Sequence, residues 1–171
     1  MIKFRKLSRD WLWLIAMCGV WFFSTVGWMH FSALRLSYRV RQILAQSQSV
    51  RLVEYRTYNM TIHQNSGPLA EKVFAKDEFP RITQAMPLLG ICDSPKCGFI
   101  PHHSLICSQQ DGSSVTIRIC LSCDGIQFEN EPYHDLPVSW HDGIIALLNE
   151  CGMPYKNRDA YQLEWDAPSE K

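Results

Sequence analysis

Side chains able to do chemistry concentrate between Cys92 and Asp135 of this 171-residue chain. The stretch holds Cys92, Cys97, Cys107, Cys120 and Cys123, together with His102, His103 and His134. Cys120 and Cys123 are two residues apart and followed by Asp124-Gly125, so both thiolates can converge from one tight turn. Cys92 and Cys97 offer a second half, with a four-residue spacer that contains Pro95, and with Gly98 directly after. Zinc takes four thiolate or imidazole ligands in a tetrahedron, commonly two from each of two turns. The 22 residues between Cys97 and Cys120 slightly exceed the usual spacing. Zinc is the expected cofactor on this reading, with Cys97, His103, Cys120 and Cys123 as metal ligands and Cys92 as the alternative ligand.

The same thiols support rival chemistries. Six cysteines lie outside the Trp-rich N-terminal stretch, enough for three disulfides if the domain is exported. A redox-active Cys120/Cys123 pair is a third option. Such pairs usually open a helix, which lowers the first thiol's pKa, whereas "DGIQFENE" after Cys123 is not helix-like. Cys97 with His103 or His134 and Asp135 could be written as nucleophile, base and orienting acid. No nucleophile motif, phosphate-binding glycine loop or paired-carboxylate signature accompanies them. An enzyme is therefore not the favoured expectation, and no residue is expected to be catalytic.

A hairpin must position the cluster. "HSLICSQ" and "SSVTIRICLSC" alternate at period two around Asp111-Gly112, a strong two-residue turn signal. That loop predicts Ile106 opposite Ile117 and Ser104 opposite Ile119 on a buried face that includes Val115. On the other face it predicts His103 beside Cys120, Leu105 beside Arg118 and Cys107 beside Thr116. A change of one residue in loop length would break every one of these pairs.

Upstream, "SVRLVEYRTYNMTIH" reads as one long or bent strand, closed by the turn residues of "QNSGP". Asn59-Met60-Thr61 fits a glycosylation triplet within it. A helix is expected from about Pro80, ended or kinked by Pro87. Downstream, "PVSWHDGIIALLNECGMP" predicts a helix capped by Ser139, with Asp142 in the capping-box position. Its apolar stripe is Trp140, Ile144, Leu147, Leu148 and Cys151, its stop Gly152 and Pro154. A short strand after it, within "NRDAYQLEWDAPSEK", is also expected.

The N-terminal part differs in composition. From Trp11 to Leu34 there is no Asp, Glu, Lys or Arg. A bilayer core of about 30 Å needs roughly 20 apolar residues, and Trp11, Trp13 and Trp28 stand near the ends, where indoles favour the interface. The run is longer than a signal-peptide core and lacks a small-x-small cleavage site. Ser24, Thr25 and Gly27 could support helix packing, and Cys18 is a small side chain within the span. Lys3, Arg5, Lys6 and Arg9 before it, against Arg35, Arg39 and Arg41 after it, favour an N-terminus inside and a domain outside. "LRLSYRVRQILAQSQ" continues the helical pattern, with Leu36, Val40, Ile43 and Leu44 on one side.

Composition is that of a globular protein, 46% hydrophobic and 20% charged. With zero net charge it carries no basic footprint for nucleic acid.

Residues Phe99 to Cys123 resemble an uncharacterised bacterial family with the pattern Cys-Phe-x-Pro-Arg-His, a Gly-containing turn, then Ile-Cys-Phe-x-Cys. Here "FIPHH" places His103 at the pattern's His and His102 at its Arg, and "ICLSC" matches at Ile119, Cys120 and Cys123. "LLNECGMP" is similar to the family's closing helix and stop. Cys97 lies one residue further from Phe99 than the pattern has it, and Leu121 replaces its Phe. The resemblance implies an export signal or lipid anchor and no established activity.

The expected architecture is a single-pass membrane protein of α+β class. Residues 1–10 form a basic tail, 11–34 a transmembrane anchor helix, 35–48 a juxtamembrane helix, 49–160 a small domain with the Cys/His cluster and 161–171 a tail. The expected function is a membrane-anchored binding or accessory module, its cluster stabilising the domain through metal or disulfide. Its expected partners are the membrane and other membrane subunits, through the Trp-rich span. A tethered thiol-redox enzyme or a structural subunit of a membrane complex are the alternatives.

Overall fold

Helix α1 (Arg9–Gln46) passes without a break into strand β1 (Ser47–Glu54). The computed structural model describes residues 9–55, 68–88, 90–92, 101–129 and 131–155. Leu36, Val40 and Leu44 recur every fourth residue, so they share one face of α1, and all three are buried. This C-terminal half of α1 is part of the domain. In the half that precedes it, by contrast, Trp11, Trp13, Met17, Val20 and Trp21 are all exposed.

Among the described residues, no helix is long and apolar enough to cross a membrane. This overturns the expected transmembrane anchor over 11–34, and with it the single-pass placement and the outward-facing domain. Ser24, Thr25, Gly27 and His30 interrupt the second half of the segment, so the uncharged run is not uniformly apolar, and bilayer insertion follows transfer energy rather than charge alone.

The domain is α+β. After β1 come β2 (Ala70–Phe74), a single 3-10 turn (Lys76–Glu78) and α2 (Phe79–Ala85). Then follow β3 (His103–Gln109), β4 (Ser114–Cys120), β5 (Gly125–Phe128), β6 (His134–Asp135) and α3 (Val138–Glu150). The strands form one antiparallel sheet in the order β2-β1-β3-β4-β5-β6. Val50, Leu52, Leu105, Cys107, Ile117, Ile119, Ile126 and Phe128 alternate onto its core face, where they meet the three helices. One carbonyl ties the helical layer together: that of Pro87 accepts from Ser37 Oγ at 2.9 Å and from Trp140 Nε1 at 2.8 Å.

The hairpin between β3 and β4 exists, but its register differs from the expected one. His103 stands opposite Ile119, Leu105 opposite Ile117, Cys107 opposite Val115 and Ser108 opposite Ser114. The Gln109 amide donates to the Ser113 carbonyl at 2.8 Å, which leaves Gln110-Asp111-Gly112 as a three-residue loop. Gly112 takes φ +86°, the left-handed position that closes this loop type. Asp111 Oδ1 accepts from the Ser113 amide at 2.9 Å and from its hydroxyl at 2.6 Å, fixing the third residue. The extra residue moves every pairing by one, so Leu105 and Cys107 rather than Ser104 and Ile106 meet the core.

Helix α3 starts at Val138 with Pro137 at its cap and no side-chain capping bond, so Ser139 lies inside the first turn. Its end is as expected. Gly152 has φ +74°, Met153 N–H donates to Leu148 at 2.9 Å, and Gly152 N–H to Asn149 at 3.1 Å, a Schellman stop. Helix α2 carries Pro80 in its first turn and ends two residues before Pro87. Strand β2 was not foreseen. The Asn59-Met60-Thr61 triplet and the strand expected after residue 156 lie outside the described residues.

Candidate functional site

The β4–β5 turn is built by "CLSCDG". Cys120 ends β4 opposite Gly125, the first residue of β5, and the intervening turn brings Cys123 back to within disulfide-bonding distance of Cys120. The two Cα atoms are 5.7 Å apart, a normal separation for a bridge. Both residues are buried, as is Leu121 between them. Asp124 adopts φ +50°, a left-handed conformation that Asp tolerates better than most residues. Its carbonyl accepts from the Leu136 amide at 2.7 Å, joining the turn to the lead-in of α3.

Two further groups reach this turn. His141, in the first turn of α3, places Nε2 3.7 Å from Asp124 Oδ1 and Nδ1 3.5 Å from Asp142 Oδ1. The Tyr155 ring packs edge-on to His141, centroids 6.2 Å apart, and burial followed by the Asp124 charge pushes its phenol above the usual range. Cys92 bridges Pro137, one residue beyond Leu136. Burial, then Asp135, pushes the Cys92 thiol up, which makes it a poorer nucleophile at neutral pH.

The expected ligands are therefore only partly together. Cys120 and Cys123 are together and bonded to each other. His103 stands opposite Ile119 rather than Cys120, and the register carried one step past the ladder sets His102 level with Cys120. Cys97 lies outside the described residues. Among the described residues, no group of three or more His, Cys, Asp or Glu side chains is placed to hold a metal ion. The expected ligands are therefore not assembled as a set among these residues. A thiolate pair consumed in a disulfide offers no anionic sulfur to a metal. His134 and Asp135, written earlier as base and orienting acid, sit on the edge strand β6, with His134 exposed and its ring 6.3 Å from that of Phe128.

One polar pair escaped the sequence reading. Glu54 and His103 face each other across β1 and β3, both buried, in a row that continues through Ile119 and Ile126 to His134. Glu54 shares the parity of the apolar Leu52, which was the available signal that its carboxyl points into the core.

No family model, curated protein or solved structure matches the chain.

Proposed function

We propose that the protein is a non-enzymatic binding or accessory module. A domain braced by the Cys120–Cys123 disulfide holds one end of α1 and presents the other end to a protein partner. The observation that carries this reading is the contrast within α1. Leu36, Val40 and Leu44 are locked in the core, whereas Trp11, Trp13, Met17, Val20 and Trp21 project from the same helix within reach of another molecule. Contiguous exposed apolar surface of this extent marks an interaction site.

The disulfide supports a bracing role over a thiol-redox one. Exchange needs an accessible sulfur and a stabilised thiolate, and Cys120 and Cys123 are 0% and 1% exposed. The test is reduction of a protein disulfide by dithiothreitol, with this protein as catalyst. No acceleration is expected. Turnover that disappears in Cys120→Ser would replace the module with a redox enzyme.

A further inference from the structure

The partner of α1 can be taken further, resting on the module reading above. Between Trp11 and Trp21 the helix is apolar on every side, not along one stripe. At about 100° per residue, Trp11, Ile15, Val20, Met17 and Trp21 cover most of the circle, and the remaining sector, between Ile15 and Val20, includes Ala16 and Gly19. A Cβ added at Gly19 would meet nothing within 4 Å, so even that sector is open. A helix that is apolar all round is stable only when covered all round. The chain's other described helices cannot do this, because α2 and α3 already have their apolar faces in the core.

Area argues in the same direction. The exposures of the large side chains from Trp11 to Leu34 correspond to roughly 1,000 Å² of apolar surface, using about 150–250 Å² for each aromatic residue. That is on the order of what one side of a stable protein interface contributes, about 800 Å². A single flat contact covers one side of a helix and would leave much of this surface wet. Several helices are required.

Charge identifies whose helices they are. From Trp11 to Leu34 no side chain carries a formal charge, so identical segments lie side by side without like-charge repulsion. Each contact between copies also covers two exposed surfaces at once, whereas a foreign partner would have to bring several bare apolar helices of its own. We infer that the N-terminal half of α1 packs against further copies of this chain, forming a bundle of at least three helices with the α+β domains outside it.

The experiment is sedimentation equilibrium of the full chain in lipid- and detergent-free buffer, over a hundredfold range of concentration. A trimer or larger assembly is expected. Ile15→Glu and Met17→Glu are two residues apart and so lie on nearly opposite sides of the helix. Each alone should return the chain to the monomer mass, with the thermal melt of the domain unchanged because neither residue is in the core. Three results would overturn the inference: a monomer at every concentration, an assembly that survives either substitution, or a monomer that floats with phosphatidylglycerol vesicles. A monomer would leave the module reading standing with a different partner. Disulfide turnover would remove that reading without touching the bundle.

Discussion

Among the described cysteines, position rather than number decides chemistry. Cys120 and Cys123 close a very short loop, and short loops gain little from cross-linking. The chain-entropy relation gives about 2 kcal/mol for a four-residue loop. Cys120→Ser with Cys123→Ser should lower stability by that amount, read as a shift of the urea midpoint, and dithiothreitol should reproduce the shift in the wild type. Cys107 is different. It is fully buried on the core face of β3, and burial pushes its thiol up to about 12 from a usual 9.0. Between those values the unfolded chain ionises this thiol while the folded chain keeps the proton. Unfolding then releases a proton, so the Cys107 contribution to stability falls as pH rises from 9 towards 12. Cys107→Ala should flatten that alkaline limb in denaturation curves taken across the range. In the native state, Cys107 should resist maleimide and react only on unfolding.

At the scale of elements, two glycines mark where geometry is tightest. Gly112 holds a left-handed conformation in the β3–β4 loop, so Gly112→Ala should cost about 1 kcal/mol. Gly143 lies where α3 meets α2, and a Cβ there would sit 2.9 Å from the Ala85 carbonyl carbon and closer still to its oxygen. Gly143→Ala should cost about 1–3 kcal/mol, the usual range for overpacking, measured by chemical denaturation. The same elements show what could be read from the sequence. Helix α3 was legible because a 3.6-residue stripe and a Gly stop act locally. The hairpin was legible as an element for the same reason, since alternation and Asp-Gly are local signals. Its register was not, because the choice between a two- and a three-residue loop rests on a hydrogen bond from Gln109 to Ser113 and on the Asp111 side chain. With the register went the candidate site: His103 moved from the thiol side of the sheet to the core, opposite Glu54. Strand β2 gave little warning because "AEKVF" is short and half polar, and its stability comes from pairing with β1.

For the whole molecule, the question is how one helix serves both the domain and the surface beyond it. Below the halfway point, α1 is held by more than burial. Arg39 makes a two-pronged pair with Glu131, at 2.5 and 2.6 Å, and its guanidinium lies 4.2 Å from the centre of the Phe128 ring. The hydrogen bond from Arg39 holds the Glu131 carboxyl below its usual range. A depressed carboxyl adds stability above its unfolded pKa and loses it as pH falls through the folded one. The difference in melting temperature between wild type and Glu131→Gln should therefore be present at neutral pH and vanish on acidification.

In the upper half, the described side chains of Trp11, Trp13, Met17, Val20 and Trp21 are exposed instead. Among the described side chains of α1, Ala33 is the first that is buried in the core, and Leu36, Val40 and Leu44 follow it. A chain beginning at Ser32 should accordingly keep the core contacts made by Leu36, Val40 and Leu44. Its melting midpoint should stay within roughly 3 °C of the full chain, since a loss of 1 kcal/mol would move a domain of this size by several degrees. Its mass in solution should be that of a monomer at concentrations where the full chain is assembled. A truncated chain that melts far lower or loses its cooperative transition would mean that the projecting half of α1 supports the fold. Retained stability with lost assembly would assign the two halves of one helix to two tasks, the domain's core and its contact with other copies.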